Sequence, residues 1–342
     1  MKAADDIFIA LPESTRIKLG ELFSAYHFTE SQKLEILKEE ADLRQWKEPS
    51  FAENFKPDSA AMHNDGRNGE RYMKAMRESM HSLRASETDY SSFVPNIHPR
   101  PKSKVTQPDK ELVLSRCPCP VDGEKTRCCK LRTLDVIEQC AFSCSYCSVQ
   151  AFYAENEIHA ISDIKKKLLS LELDEDVWHI GTGQASDSIL LGDDYGTLSG
   201  LIAFAEKHPD VIIELKSKSA RNIFTRRYPA NIFFSWSLNA ETIIAKEEHL
   251  TASLDGRIEN AMRARDKGNL VGFHIHPMVY FKGWEDEYGA VAGKVSAEFS
   301  PEDLFAISIG TLTFTKSVLK RLRMQGEESR ILEMELVPAA GK

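Results

Sequence analysis

Three cysteines stand at C-x3-C-x2-C spacing in the stretch "CAFSCSYC", Cys140 to Cys147. Thiolates are soft ligands, and three of them on one short loop suit a metal centre better than any crosslink. Iron–sulfur clusters are normally held by four cysteines. A cubane with only three protein ligands leaves one iron coordinatively open, as a catalytic zinc keeps one free position. An open iron can bind a substrate or a cofactor. The plainer readings of Cys140, Cys144 and Cys147 are a structural zinc site or free thiols.

All seven cysteines of the chain fall between Cys117 and Cys147. In a reducing compartment such clustering points to metal and away from disulfides. Cys117 and Cys119 in "RCPCP", with Cys128 and Cys129 in "RCCK", form a second possible group. Zinc sites usually draw on C-x2-C pairs, and adjacent cysteines point apart, so buried or free thiols are the default for these four.

The elements that must position the loop come from the rest of the 342 residues, 42% of them hydrophobic and 28% charged. That length suits one large domain with an appendage, or two domains. No apolar run approaches membrane-spanning length, and "MKAADDIFIALPESTRIK" lacks the basic-then-apolar order of a leader, so a cytoplasmic protein is expected. The formal charge of -8 argues against a blanket polyelectrolyte binder. Nucleic-acid contact would need a local patch, and "KSKSARNIFTRR" (Lys216 to Arg227) and "KSVLKRLR" (Lys316 to Arg323) are the two on offer. Each taken alone reads as a solvated helix face.

Residues 1–97 read as helical. "TESQKLEILKEEADLRQW" opens with Thr29 and Gln32 at capping-box spacing, and "NGERYMKAMRESMHSLRAS" has helical texture. Residues 98–130 read as a linker containing the first cysteine group. From 131 to 342 short β-rich runs alternate with helical ones: strands at "LRTLDVI", "VWHIGTG", "VIIELKS", "NIFFSWSLN", "VGFHIHPMVYF" and "LFAISIGTLTF", helices at "SDIKKKLLSL", "TLSGLIAFAEKH" and "RIENAMRARDKG". Such alternation means parallel β, in a barrel or an open doubly wound sheet. The fold class expected is α/β, a partial (β/α)6 barrel of parallel strands behind a helical N-terminal region.

In a β/α barrel the chemistry gathers at the C-terminal ends of the strands. Those ends carry, in order, Cys140; Ser186 and Asp187; Lys218; Ser237 and Asn239; His276; Thr311 and Thr313. Each has a dull explanation alone, a cap for Ser237 or a core histidine for His276. Together they place polar or metal-binding groups on one rim.

A C-x3-C-x2-C loop after the first strand, with aromatic Tyr146 before the last cysteine, resembles the radical S-adenosylmethionine superfamily. The segments "FFSWSLNAETI", "SLDGRIENAMRARDKGNLVGFHIHPMVYFKGWEDEY" and "LTFTK" resemble one branch of it, the spore photoproduct lyases. The resemblance runs from about Leu131 to Lys316. It implies a 4Fe-4S cluster on Cys140, Cys144 and Cys147, and S-adenosylmethionine bound by its open iron and cleaved reductively to a 5′-deoxyadenosyl radical. It further implies ultraviolet-damaged DNA as substrate, an electron donor such as flavodoxin or ferredoxin, and cofactor contacts from Ser186, Lys218 and Ser237. Lys216 is a rival for the lysine role, because alternation sends it to the same face.

Two positions depart from that family's pattern. Gln184 in "QASD" stands where the lyases carry the cysteine that returns a hydrogen atom, and Ser148 replaces a tyrosine after the last cluster cysteine. An amide N–H is too strong a bond for that task, which leaves Tyr146, Tyr153 or a Cys128/Cys129 thiol as donor, or a different substrate. The chain also stops at Lys342 about where the family continues, as a truncated copy would. Three functions stay open: a lesion lyase, a radical enzyme on a non-DNA substrate, and a non-enzymatic iron–sulfur protein.

Overall fold

The computed structural model describes residues 2–55, 68–96, 104–116, 131–149 and 157–337. Cys117, Cys119, Cys128, Cys129 and Tyr153 lie outside them. The chain divides into two compact units, one made of residues 1–96, 280–282 and 317–337 and the other of 97–279, 283–316 and 338–342.

The first unit begins with helices α1 (Lys2–Ala10), α2 (Glu13–Ala25), α3 (Glu30–Trp46), α4 (Phe51–Asn54) and α5 (Asn68–Ala85). The capping box read from the sequence starts α3: the Thr29 hydroxyl accepts from the Gln32 amide at 3.3 Å, and the Gln32 side chain accepts from the Thr29 N–H at 2.8 Å. Leu19, Ile36, Leu37, Trp46, Tyr72, Met73 and Met76 form its core. Tyr72 lies at the centre of an aromatic group with Phe28, Phe51 and Phe55, at ring-centroid separations of 4.7 to 5.5 Å.

The second unit contains β1 (Val105–Thr106), β2 (Leu114–Arg116), β3 (Arg132–Leu134), β4 (Ile137–Glu138), β5 (Ser143–Cys144) and β6 (Ile158–Ala160), then α6 (Ile164–Ser170) and β7 (His179–Thr182). It continues through α7 (Thr197–Lys207), β8 (Ile212–Ser217), β9 (Ile232–Ser237), α8 (Glu241–Glu247), β10 (Glu248–His249), α9 (Leu254–Asp266), β11 (Val271–Met278), α10 (Trp284–Glu298) and β12 (Leu304–Thr311). One sheet runs in the order β12-β11-β9-β8-β7-β3-β2. Neighbours from β3 through β12 pair in parallel, and β2 joins antiparallel to β3. The six parallel strands are the six runs read from the sequence, in sequence order, as a partial (β/α)6 barrel requires. The first run is shorter than read, because "LRTLDVI" breaks after Leu134 and resumes as β4 in a separate sheet with β6 and β1.

Alternation along these strands sorts the two faces. Ile213, Leu215, Ile232, Phe234, Trp236, Val271 and Phe273 form the core with Leu201, Phe204 and Ala205 of α7 and Ile258, Ala261 and Ala264 of α9. Truncating a ring there, as in Phe204→Ala, costs ~3–5 kcal/mol. The other face carries polar residues: the Glu214 carboxylate accepts from Ser235 at 2.5 Å and meets His274 at 2.5 Å, and His274 reaches Ser308 at 2.6 Å. Burial raises the Glu214 pKa, but hydrogen bonds to His179 and His274 outweigh it and hold the carboxyl well below the usual carboxylate range.

After β12, α11 (Lys316–Gln325) and residues 329–333 carry the chain back into the first unit. There the Ser329 N–H donates to the Gln45 carbonyl at 3.0 Å and Lys47 pairs with Glu328 at 2.9 Å. Residues 317–337, read from the sequence as part of the barrel, therefore cluster with the N-terminal helices. The basic run Lys316 to Arg323 supplies that unit with a partner for Asp42, the Arg323 guanidinium standing 3.5 Å away.

Candidate active site

The strand termini converge on a cavity of about 160 Å3 in the second unit. Its walls include Cys140, Cys144, Tyr146, Cys147, Gln184, Ser186, Lys216, Lys218, Ser237 and His276. Every site residue singled out for cluster, cofactor or hydrogen transfer within the described residues thus faces one space. Asn239, Thr311 and Thr313 do not line it.

The cysteine loop is shaped from both ends. Gln139, at φ 65°, turns the chain into Cys140. The Cys147 N–H closes a turn on the Cys144 carbonyl at 3.0 Å. β5 pairs antiparallel with β10, setting Cys144 opposite Glu248 and Ser143 opposite His249. Burial pushes the Cys144 thiol up to about 12, with the Lys218 ammonium pulling the other way, and burial also raises the Cys140 thiol. Without a metal these two sulfurs keep their protons at neutral pH, so metal binding must displace them.

The second wall is the loop after β7. Gly183 adopts φ +80°, and a Cβ there would fall 2.6 Å from Ser188 Oγ and 2.8 Å from the Lys216 carbonyl. Only glycine fits that turn. Asp187 then locks the loop to the end of β8: its carboxylate accepts from the Ile189 and Leu190 amides at 3.1 and 2.9 Å, the Ser217 hydroxyl at 2.9 Å and the Lys218 N–H at 2.7 Å. Ser186 and Gln184 are held against the cavity as a result.

The two lysines differ. Lys218 donates to the Tyr146 hydroxyl and to Glu248 Oε1, each at 2.7 Å. Lys216 lines the same cavity with no side-chain hydrogen bond or ion pair among the described residues. Beneath Lys218, Glu248 also meets the Arg257 guanidinium at 2.7 Å and the Asn239 amide at 3.1 Å. Burial alone would raise its pKa; the Lys218 and Arg257 charges outweigh that and hold it well below the usual carboxylate range. Nothing in "AKEEHL" marks Glu248 as more than a helix-end acid, so sequence reasoning missed it. Arg257 and Tyr288, both in the quoted lyase-like block, are buried: Arg257 donates to the Ser237 carbonyl at 2.7 Å, and the Tyr288 hydroxyl donates to Asn239 at 2.6 Å.

The segment Lys216 to Arg227 is not one basic patch. Lys216 and Lys218 face the cavity, whereas Arg221 forms a double hydrogen bond with Asp194 at 3.0 Å. The chain here crosses from the C-terminal end of β8 to the N-terminal end of β9, and Arg227 lies beside Gly268, at the entry to β11. Arg226 and Arg227 therefore stand at the end of the strands away from the cavity.

The donor set fits a cluster. Among the described residues no three histidine, cysteine, aspartate or glutamate side chains converge on the position of a single ion. Three thiolates on a cubane each hold a different iron, so they need to face one space without converging on one point. Cys140, Cys144 and Cys147 do face one space, and none of them is in a disulfide.

Residues 136–335 match the family model described as "Spore photoproduct lyase". This chain belongs to the spore photoproduct lyase family. Among curated members, the spore photoproduct lyase of Clostridium acetobutylicum is 31% identical over 101 residues, 30% of this chain and 27% of that one. That of Bacillus subtilis is 35% identical over 71 residues, 21% of this chain and 20% of its own length. These alignments span about a quarter of the relatives they match. A spore photoproduct lyase complexed with dinucleoside spore photoproduct shares the fold at TM-score 0.55 and 18% identity, covering 78% of this chain and 80% of the other. A mutant lyase with bound AdoMet and dinucleoside spore photoproduct does so at TM-score 0.55 and 19% identity, over 74% and 78%. No helix of the described residues is long and apolar enough to cross a membrane.

Proposed function

We propose that this family member is a radical S-adenosylmethionine enzyme acting on an ultraviolet thymine lesion in DNA. The observation that carries this reading is the convergence of Cys140, Cys144, Cys147, Ser186, Lys218 and Ser237, from four separate segments, on one cavity at the strand termini. The three cysteines would hold a 4Fe-4S cluster. With S-adenosylmethionine bound, that cluster supplies one-electron cleavage of a carbon–sulfur bond, chemistry outside the reach of any side chain. Lys218 offers the cofactor's carboxylate a charge-assisted contact, and the Ser186 and Ser237 hydroxyls serve its amino or ribose groups.

The hydrogen-return step is where this chain stands apart. Gln184 lines the cavity, stands where the sequence resemblance puts the family's cysteine, and has no weak bond to give. The Tyr146 hydroxyl also lines the cavity, but it is buried, its O–H is committed to Glu248, and it accepts from Lys218 at 2.7 Å. Tyr146 is therefore held as a structural anchor, its hydroxyl turned to Glu248 and Lys218. Gln184 also favours the second reading, a radical enzyme on a non-DNA substrate, and so does the absence of a basic rim from Arg226 and Arg227.

Anaerobic reconstitution with iron and sulfide, followed by reductant and S-adenosylmethionine, tests the enzyme class through 5′-deoxyadenosine. Adding dinucleoside spore photoproduct then separates the lesion lyase, which consumes it whether or not intact thymines result, from an enzyme on another substrate, which leaves it unchanged.

A further inference from the structure

Glu248 is 2% exposed and gathers three hydrogen-bond donors and one guanidinium charge on one carboxylate. Tyr146 and Lys218 both donate to Oε1, Lys218 at 2.7 Å, and the Asn239 amide reaches the same oxygen at 3.1 Å. The Arg257 guanidinium, itself fully buried, stands 2.7 Å from Oε2. A buried acid so surrounded is held as a fixed negative charge.

The partners of Glu248 belong to different parts of the site. Tyr146 lies inside the cysteine loop, between Cys144 and Cys147. Lys218 directly follows β8 and lines the cavity. An ammonium has three donors, and Lys218 spends two of them on Tyr146 and Glu248, which leaves one N–H for a group in the cavity. Asn239 and Arg257 tie the same carboxylate to the ends of β9 and β11, through the Pro277 carbonyl at 3.2 Å and the Ser237 carbonyl at 2.7 Å.

The neighbouring residue grips the loop as well. The Ser145 N–H donates to the Glu247 carbonyl at 2.9 Å, and the Ser145 hydroxyl donates to the Glu247 carboxylate. Glu247 is fully buried. Residues 247–249 therefore hold Ser143, Cys144, Ser145 and Tyr146 through backbone and side chains together.

We propose that Glu248 is a positioning residue: its carboxylate fixes Tyr146 of the cysteine loop and Lys218 of the cofactor wall to one point, and so sets where the thiols stand relative to the lysine. What Lys218 binds rests on the proposed function; the grip on the loop does not. Loss of the charge frees the Lys218 ammonium and loosens the loop, while the hydrophobic face of the sheet keeps the fold.

Glu248→Gln in the full chain tests this, with amide hydrogen exchange before and after reconstitution and the AdoMet dissociation constant after it. Exchange at the Ser145 and Cys147 amides should rise at least about tenfold with α7 and α9 unchanged, and AdoMet binding should weaken at least about tenfold, the scale of one charge-assisted hydrogen bond. Tyr146→Phe, which removes one arm and keeps the charge pair, should raise exchange at the same two amides by a smaller factor. It serves as the deciding variant if Glu248→Gln does not fold. Unchanged exchange at the loop, or a uniform rise across the unit, overturns the proposal. A wild-type chain that takes up iron but no AdoMet counts against the proposed function, and the exchange result then still decides the role of Glu248.

Discussion

Lys218 Nζ lies 2.7 Å from Glu248 Oε1, with side-chain exposures of 16% and 1%. This pair joins a cavity-lining cation to a buried anion, whereas Lys216, two residues earlier on the same face, has no such partner among the described residues.

The two lysines should therefore fail differently. Lys218→Ala is expected to weaken AdoMet binding by at least about tenfold and to lower the thermal midpoint, because Glu248 keeps its charge with one cation fewer. Lys216→Ala should leave stability within about 0.5 kcal/mol, as surface-like substitutions do. Equilibrium binding and melting of both variants check this. Loss of AdoMet binding in Lys216→Ala alone would move the cofactor contact to Lys216.

Gln184 should alter the end of the reaction and not its start. Its side chain lines the cavity beside Ser186 but donates no weak O–H or S–H. 5′-Deoxyadenosine should form normally, with poor or abortive repair of dinucleoside spore photoproduct. Gln184→Cys should raise the yield of intact thymines, measured by chromatography. Clean repair over many turnovers by the unaltered chain would show that another group returns the hydrogen.

The turn at Gly183 gives a test of the cavity wall. Its positive φ and the 2.6 Å approach to Ser188 Oγ leave no room for a methyl group. Gly183→Ala should cost ~1–3 kcal/mol of stability and displace Ser186 from the cavity. A variant with wild-type stability and AdoMet affinity would contradict the placement.

Glu333 in the first unit supplies a pH test. Burial pushes its carboxyl up to about 7, Arg330 pulling down and Glu48 pushing up. A carboxyl whose folded pKa lies above its unfolded value of ~4.3 stabilises the fold only while protonated. That contribution is full below about pH 4 and lost as pH rises to about 7. Glu333→Gln should flatten this decline by about 2 kcal/mol, read from hydrogen exchange of the α3 amides in the full chain between pH 5 and 8. An unchanged pH slope would rule Glu333 out as its source.

Much of this site was legible in the chain. Residue types at strand ends located Cys140, Ser186, Lys218, Ser237 and His276, because period-two alternation and β/α order fix which end and which face they occupy. The capping box at Thr29 and Gln32 was equally readable, since its partners are three residues apart. Glu248 was not, because its meaning comes from Tyr146, Lys218 and Arg257, brought together only by the β5–β10 pairing. The split of the Lys216 to Arg227 charges was also hidden: a run of basic residues says nothing of which end of a crossover each one reaches. The return of residues 317–337 to the N-terminal helices depends on contacts such as Ser329 to Gln45, far apart in sequence.

The central claim is that Cys140, Cys144 and Cys147 hold a cluster that cleaves AdoMet in the cavity they line. Anaerobic reconstitution of the wild-type chain and of the three single Cys→Ala variants, followed by iron analysis and 5′-deoxyadenosine measurement under dithionite, tests it most directly. The wild type should bind about four irons in one cluster and release 5′-deoxyadenosine, and each variant should lose that cleavage. A variant lacking any one of the three cysteines that kept full iron and full cleavage would contradict the claim.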